Sequence, residues 1–399
     1  MTDRLRILTT EIQPWRRFKD RAEADLGFEL DFIEMDFVNA QRIAAMSPHS
    51  YDVYDQCFHN LDIVWHWRAI QPIEIDRITY WSEMESPALD PVPGSLGYGD
   101  VPATRLWVQA DASLSARPGR QISMLPTVYN YDSFAIDIGA TGLNVDSDVT
   151  SWAELLDPRW HGRVALVDDP GIGVFDLVQA LMAADRMKVA DPGNMTVAEI
   201  DEMAALGLDL VASGHLAPFW RRATEPLERF RAGELAISSL WSPTVVAMKE
   251  AGLRVRQAVP EEGYRAWHGG MCLARHLEGA RLDRAYAWLN WYLSGIAGAQ
   301  VARQGYYMSV PGRVRDTLPP AEWDYWYEGR AAATDLPGPN GHVAVRKGDM
   351  RSGGSVRARS KNVAVWNSTM DEHNYLVRRW TEIITAAAQA QGRGSRKAG

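Results

Sequence analysis

The chain has 399 residues, of which 46% are hydrophobic and 23% are charged, a composition typical of a folded protein rather than a disordered one. A chain of this length is too long for one hydrophobic core, so we expect two lobes. The formal net charge of -9 argues against a nucleic-acid partner, because phosphate binding needs a concentrated basic face.

The chain contains no run of about 18 apolar residues, so the sequence predicts no transmembrane helix. Its N-terminus, MTDRLRILTTE, enters a strand-like segment without the charged and apolar regions of a secretory signal. The protein is therefore either cytoplasmic or exported with its leader removed. The two cysteines, Cys57 and Cys272, lack the spacing of a metal site or a redox pair. We expect buried free thiols, with one long-range disulfide as the alternative.

Strands and helices alternate along the first sixty residues. The apolar residues Phe28, Leu30 and Phe32 recur with the period of two that is typical of a strand. The expected elements are a strand at Arg4–Thr9, a helix at Arg16–Asp25, a strand at Phe28–Met35, a helix near Val38–Met46 and a strand in YDVYDQC. This alternation predicts βαβ units and a mainly parallel sheet.

Strands and helices also alternate along the rest of the chain, after a loop-like stretch at residues 85–120. The expected strands are Ser123–Asp137, Arg163–Pro170 and Glu234–Trp241. The expected helices are a short Ser-capped one within Ser151–Gly162, then Val174–Met187, Ile200–Leu206 behind a capping box of Thr196 and Glu199, one from Pro243, a long amphipathic one at Leu282–Gln304, and Trp366–Ala388 at the end.

Five segments in order resemble one family. They are PTVYNYDSFAID, SWAELLDPRWHGRVALVDDP, GELAISSLWSP, VPEEGYRAW and GYYMSVP. Together they resemble the spermidine/putrescine-type periplasmic substrate-binding proteins of ABC importers, and the similarity runs from about Leu5 to Pro311. The resemblance implies an α/β, two-lobed type II periplasmic-binding-protein-like fold, with two hinge crossings and a ligand cleft between the lobes.

The resemblance also implies how the chain divides. Thr127–Ser133 and Glu262–Gly270 would be the two hinge crossings. Residues 1–127 and 269–318 would form the N-lobe, and residues 128–268 and 319–399 the C-lobe with the C-terminal helix. The implied partners are a small-molecule ligand and the membrane permease of an ABC importer, with the protein a monomer in the periplasm.

Two tryptophans and an aspartate match ligand contacts of the family. Trp267 falls where the family places a ring against the methylene chain of the ligand, and an indole face also attracts ammonium groups. Trp241 ends a strand at the position of a second stacking tryptophan. Asp169 matches a carboxylate that recognises an amine. The alternatives are two core tryptophans and an aspartate that caps the following helix.

Further candidates lie in the crossings and the N-lobe loops. Asp132 is acidic where the family usually has a small neutral residue, so it is a candidate extra anchor, and a hinge hydrogen bond is the alternative. The arginine fork of Arg265 suits a carboxylate, with His268 beside it, unless both side chains face solvent. The remaining candidates match aromatic contacts or ligand-facing loops of the family: Tyr129, Tyr306, Glu11, Phe58 and His59.

Two family carboxylates are missing from this chain. Polyamine binders of the family carry one two residues after the hinge tryptophan, where this chain has Gly269, and another where it has Ile172. Each absence would leave a buried ammonium group without a partner, at a cost of several kcal/mol. The sequence therefore favours a small amine-containing or zwitterionic solute, such as an amino acid, a betaine-like compound or an acylated amine, with a polyamine as the alternative.

Enzymes and sensors are the rival classes. The same fold hosts some enzymes, but the chain has no nucleophile elbow, phosphate-binding loop or HExxH zinc motif. A regulatory sensor would carry a helix-turn-helix module, and no basic segment of that type is present. The sequence therefore predicts a binding protein without catalytic residues, cofactor or metal.

Overall fold

The structure is a computed structural model that describes residues 4–12, 14–90, 98–144, 150–216 and 219–395. The strands are β1 Arg4–Thr10, β2 Glu29–Met35, β3 Val53–Cys57, β4 Ile70–Gln71, β5 Ile73–Glu74, β6 Tyr98–Gly99, β7 Trp107–Val108, β8 Leu114–Ser115, β9 Gln121–Ile122, β10 Leu125–Asp137, β11 Val164–Ala165, β12 Ile237–Leu240, β13 Val255–Gln257, β14 Tyr264–Ala274, β15 Tyr307–Met308, β16 Leu336–Pro337, β17 Val343–Val345 and β18 Val363–Trp366.

Helices connect most of these strands. The α-helices are Lys19–Leu26, Phe37–Met46, Leu61–His66, Ile138–Thr141, Gly173–Ala183, Val197–Ala212, Glu225–Arg231, Ser242–Glu250, Gly279–Tyr292, Ile296–Arg303, Pro311–Thr317, Pro320–Trp326, Val356–Ser360 and His373–Ser395. The short 3-10 helices are Trp15–Arg17, Pro48–Ser50, Phe58–Asn60, Ile75–Arg77, Trp81–Glu83, Pro102–Arg105, Trp152–Leu156 and Pro158–Trp160. None of the helices in the described part of the chain combines the length and the apolar character needed to span a bilayer.

The chain folds into two compact units. Unit 1 comprises Met1–Leu96, Asp100–Asn130 and Trp267–Arg351, and unit 2 comprises Gly97–Gly99, Tyr131–Ala266 and Ser352–Gly399. The sequence-based division placed all of residues 319–399 in the second lobe, whereas the chain as far as Arg351 packs within unit 1. The reason is visible at Arg351, whose buried guanidinium lies 4.5 Å from the centre of the Tyr307 ring and donates to the carbonyl oxygen of Gly305 at 2.5 Å.

Unit 1 is built on a sheet whose first three strands are parallel, as the alternation of elements predicted. β1 lies between β2 and β3 and pairs in parallel with both. β3 then pairs antiparallel with β14, with Gly269 opposite Cys57. β15 pairs antiparallel with the first part of β10. The carboxyl ends of β1 and β3 lead directly into the segments that carry Glu11 and Phe58, two of the candidate site residues.

The two cysteines lie on neighbouring strands of unit 1 and are both free and buried, as expected from the sequence. Cys57 is opposite Gly269 and Cys272 is opposite Tyr54, so the two positions are three residues out of register. Successive side chains of a strand point to opposite faces of the sheet. The odd offset therefore puts the two thiols on opposite faces, where they cannot form the disulfide that was the alternative.

Unit 2 has strand pairings and a hydrophobic core of its own. β12 pairs in parallel with β11 and antiparallel with the second part of β10, which also pairs with β13. The C-terminal helix His373–Ser395 contributes Trp380 and Ile383 to the buried cluster of this unit. The helix Val197–Ala212 begins with the predicted capping box: Thr196 accepts from the backbone of Glu199, whose side chain accepts from the backbone N–H of Thr196.

Three sequence-based expectations about elements are wrong. The long helix expected at Leu282–Gln304 is two helices, because Gly295 at the break has φ +102, a left-handed conformation that an α-helix cannot contain. The C-terminal helix begins at His373 rather than at Trp366, because residues up to Trp366 form β18 instead. The strand expected at Arg163–Pro170 is reduced to the two residues of β11 and one isolated bridge from Val167.

Candidate functional site

Trp267 and Tyr306 form an aromatic pair within unit 1. The two rings meet edge to face, with centroids 4.8 Å apart. Tyr306 is only 3% exposed, whereas Trp267 is half-buried although it lies in the middle of the chain's second long strand. A core tryptophan is usually enclosed on all sides, so the partly open indole of Trp267 fits a surface that is available to a ligand.

His268 is the centre of a second aromatic group in unit 1. Its ring stacks on Tyr129, with centroids 5.3 Å apart, and meets Phe58 edge to face at 5.4 Å. The ring Nδ1 lies 2.7 Å from the carbonyl oxygen of Gly269, which only accepts, and Nε2 lies 2.6 Å from the hydroxyl of Ser86. Nδ1 therefore carries the proton and Nε2 accepts from Ser86. Burial lowers the pKa of His268 to about 4, so the ring is neutral at neutral pH.

Gly269 and Gly270 differ in how tightly they are packed. A Cβ atom at Gly270 would lie 2.5 Å from the carbonyl oxygen of Leu125, whereas one at Gly269 would lie 3.4 Å from that of Val128. We expect Gly270→Ala to lower the free energy of unfolding by about 1–3 kcal/mol, because the backbone must shift to make room. Gly269→Ala is the matched control and should change it by less than about 1 kcal/mol. Urea denaturation of both variants measures the difference, and equal effects would contradict the packing argument.

Asp55 is a buried carboxyl group in β3 of unit 1 that the sequence analysis did not single out. Burial raises its pKa to about 7, although the hydroxyl of Thr9 donates to it at 2.9 Å. Since this value lies above the unfolded pKa, the folded state holds the proton more tightly. The resulting stabilisation is complete below the unfolded pKa of about 4 and is lost as the pH rises through about 7. Burial also raises the pKa of the nearby Cys272 and Tyr292, so both stay uncharged over this range.

We expect this titration to cost the protein about 2–3 kcal/mol of stability between pH 5 and pH 8. Asp55→Asn keeps an oxygen that accepts from Thr9 and removes the titrating proton. Between pH 5 and pH 8 the wild type should therefore lose about 2–3 kcal/mol of unfolding free energy that the variant keeps. Urea denaturation at each pH measures it, and a pH-independent difference would contradict the assignment.

Trp241 is enclosed within unit 2. It is 4% exposed, and its ring meets Trp220 edge to face with centroids 4.7 Å apart. The indole N–H of Trp220 donates to the hydroxyl of Ser238 at 3.2 Å. Trp241 is therefore almost completely buried, whereas Trp267 is half-buried.

The paired carboxylates that follow β11 have separate surroundings. The side chain of Asp168 accepts from Arg221 Nε at 2.5 Å. The side chain of Asp169 is half-buried and accepts from the backbone N–H of Gly171 at 2.7 Å, and its carbonyl oxygen accepts from the N–H of Gly173, where the next helix begins. The Asp169 side chain therefore bonds to the turn that precedes this helix, whereas the helix itself has Ile172 as its N-cap and no side-chain capping bond, so the capping alternative is not supported.

Asp132 and Arg265 belong to a buried polar cluster in unit 2. Asp132 is 0% exposed and lies 3.5 Å from the hydroxyl of Ser242. Arg265 donates from Nε to Asp176 at 2.7 Å and from Nη1 to the side-chain oxygen of Asn367 at 3.2 Å. Desolvation raises the pKa of Asp176, and the charge of Arg265 opposes this shift.

Asp176 was not predicted from the sequence, and the alternative that Arg265 and His268 face solvent is wrong. Arg265 is 1% exposed and His268 is 2% exposed. Asp176 lies in the middle of an apolar helical sequence, and that unusual position was the one signal that could have marked it. Of the two remaining candidates, His59 is buried in the 3-10 helix after β3, and Glu11 is half-buried directly after β1.

Comparisons with known proteins agree with this architecture. The curated spermidine/putrescine-binding periplasmic protein of Escherichia coli K12 is 26% identical over 151 residues, which are 36% of this chain and 40% of that protein. The match therefore spans less than half the length of the relative.

Two solved structures match nearly the whole chain. The spermidine/putrescine ABC transporter substrate-binding protein from Streptococcus pneumoniae has a TM-score of 0.62 at 12% identity, covering 98% of this chain and 99% of its own. The Atu4243-GABA receptor has a TM-score of 0.58 at 11% identity, covering 98% of each chain. At such low identity these matches show the fold alone, and the expected type II periplasmic-binding fold is confirmed.

The family follows from a direct sequence match. The family model described as bacterial extracellular solute-binding protein matches residues 120–328, which is more than half of the chain. This stretch includes Trp241, Trp267 and Tyr306. The chain belongs to the bacterial extracellular solute-binding protein family.

Proposed function

We propose that this protein is the solute-binding component of an ABC importer, that it acts in the periplasm, and that its ligand is a small amine-containing or zwitterionic solute. The observation that carries the proposal is the half-open indole of Trp267, beside a neutral His268 and a glycine where polyamine binders carry a carboxylate. An indole face binds an alkyl chain and attracts an ammonium group, whereas nothing at Gly269 would neutralise a second ammonium group.

Ile172 supports the same solute class from unit 2. It stands where polyamine binders carry a glutamate, and it is 3% exposed. An apolar, buried side chain at this position cannot pair with a cation. Asp169, three residues earlier, is half-buried, and its neighbour Asp168 is paired with Arg221 at 2.5 Å. Asp169 is therefore the candidate carboxylate of this segment, and one carboxylate can pair with one ammonium group.

The second candidate is a polyamine binder in the strict sense. The observation in its favour is the similarity to the Escherichia coli spermidine/putrescine-binding periplasmic protein. The additional buried carboxylate of Asp132 also favours a cationic ligand. The expectation that the ligand lies between the two lobes, and that the protein acts as a monomer, stays a prediction.

Calorimetric titration separates the two candidates. The purified protein is titrated with putrescine, spermidine, 4-aminobutanoate and 5-aminopentanoate at two ionic strengths. We expect at least one of the two amino acids to bind more tightly than the diamine of similar length. Tight binding of spermidine alone would contradict the zwitterion and favour the polyamine. Binding of none of the four would contradict both.

A further inference from the structure

Residues 352–367 of unit 2, which we call the strap, lie along the long strand β14. Strand β18 of the strap pairs in parallel with β14, with Tyr264 opposite Val363 and Ala266 opposite Trp366. The strap ends at Asn367, whose backbone N–H donates to the carbonyl oxygen of Ala266 at 2.9 Å.

Two glycines allow the strap to lie this close. Gly353 has φ +76, and a Cβ atom there would lie 2.1 Å from the hydroxyl oxygen of Tyr264. Gly263 has φ +105, and a Cβ atom there would lie 2.7 Å from the backbone nitrogen of Ala364. Both positions need the left-handed backbone and the absence of a side chain, so the sequence is adapted to the docked strap.

Arg359 is the buried centre of the strap. It is 1% exposed, and its guanidinium carbon lies 4.7 Å from the centre of the Tyr264 ring. Its Nη1 donates to the carbonyl oxygen of Ser352 at 2.8 Å, and its Nη2 donates to the carbonyl oxygen of Tyr131. That last oxygen belongs to the peptide group that joins Tyr131 to Asp132. A side chain of the strap therefore holds the backbone on which the candidate amine anchor Asp132 is mounted.

Arg359 is also one of four almost fully buried charged side chains in unit 2. Among the described residues of unit 2, the charged side chains that are at most 1% exposed are two carboxylates and two guanidinium groups: Asp132, Asp176, Arg265 and Arg359. Arg265 is paired directly with Asp176. Arg359, which is bonded to the Tyr131–Asp132 peptide, carries the second positive charge, so these four buried charges sum to zero. Since an uncompensated buried charge is costly, a solute that brings one positive and one negative group preserves this balance, and a dication does not.

We propose that Arg359 is a positioning and specificity-determining residue of the solute site: it fixes the Tyr131–Asp132 peptide and, by offsetting the charge of Asp132, makes the site prefer a zwitterion to a dication. The proposal rests on the function proposed above. The guanidinium group does not need to touch the solute. It acts through the peptide that it holds and through its charge.

The test compares the preference of variants between two solutes of matched length. Calorimetry gives the ratio of the dissociation constants of putrescine and 4-aminobutanoate, or of cadaverine and 5-aminopentanoate if the longer pair binds the wild type better. We expect Arg359→Gln to shift this ratio at least tenfold towards the diamine, because one buried positive charge is lost. Arg359→Lys keeps the charge, so it should keep the ratio, but it should bind both solutes about fivefold more weakly because the two-pronged contact is lost.

Arg357→Gln is the matched control, because Arg357 lies on the same short helix and is exposed. It should leave both constants unchanged. A folded Arg359→Gln variant with the wild-type ratio would overturn the proposal, since a merely structural arginine would not alter a preference between charges. Circular dichroism reports folding. If Arg359→Gln does not fold, Arg359→Lys decides, and wild-type affinity of that variant would overturn the positioning role.

The outcome also separates this proposal from the proposed function. A wild-type protein that binds neither member of either pair contradicts the proposed function itself. A wild-type protein that binds them, together with an Arg359→Gln variant of unchanged preference, contradicts only the role of Arg359.

Discussion

Replacement of Trp267 by alanine should weaken the binding of 4-aminobutanoate, or of whichever tested solute binds best, by about 30- to 1,000-fold. Truncation of a central aromatic anchor typically costs about 2–4 kcal/mol of binding free energy. The half-open indole, packed edge to face on Tyr306, offers both an apolar face for a methylene chain and a negative π surface for an amine. Calorimetry of the variant measures the loss.

Trp67 is the matched control for this experiment. It lies in unit 1, is 63% exposed and is not a candidate site residue. Trp67→Ala should leave the affinity unchanged. If Trp267→Ala binds the solute with less than a threefold loss, Trp267 belongs to the core of unit 1 and its assignment to the site is wrong.

Asp176→Asn should lower the free energy of unfolding by about 3–5 kcal/mol. The Asp176–Arg265 pair is almost completely buried, with side chains 0% and 1% exposed. The variant keeps the volume of the side chain but leaves the guanidinium group of Arg265 buried without its counter-ion, and such a loss of one partner is strongly destabilising. Urea denaturation at neutral pH measures the change.

An exposed ion pair provides the comparison. Asp76 and Arg120 form a bridge at 2.6 Å, with side chains 63% and 83% exposed. Asp76→Asn should leave the stability nearly unchanged, because water screens an exposed pair. A double variant, Asp176→Leu with Arg265→Met, should recover much of the loss, since removing both charges leaves none unpaired. If Asp176→Asn is no more destabilising than Asp76→Asn, the buried pair contributes no more to stability than an exposed pair, and the argument from its burial is wrong.

The two units divide the candidate residues by chemistry. Unit 1 supplies aromatic surface around Trp267 and a histidine, His268, that burial keeps neutral although its contact with the Gly269 carbonyl oxygen opposes this shift of the pKa. Unit 2 supplies carboxylates, at Asp132 and Asp169, and the arginines that balance the buried ones. An aromatic face suits an alkyl chain and a carboxylate suits an amine, so the residue types of each unit are compatible with the proposed solute class.

The local sequence determined the type of most elements but not where they end. Period-two hydrophobicity marked β2, and a capping box marked the start of the helix that follows Thr196. The long helix predicted at Leu282–Gln304 was wrong because a single glycine, Gly295, takes a left-handed conformation that helical periodicity does not reveal. The same limit applies to the site: residue types and chain order pointed to Trp267 and Asp132, but not to the groups that surround them.

What the sequence by itself determined is the alternating α/β pattern, the two-lobed organisation expected from chain length and the family, through the order of five segments. Only the tertiary structure shows which charged side chains pair and which backbone groups they contact. Asp176 and Arg265 are 89 residues apart in the chain, and Arg359 is 228 residues from Tyr131. Local periodicity carries no information about contacts at such separations, because they depend on which strands pair and which segments dock on them. The pairing of β18 with β14 brings Arg359 and Asn367, which the sequence shows only in or near a basic loop, to the strands that carry the candidate residues.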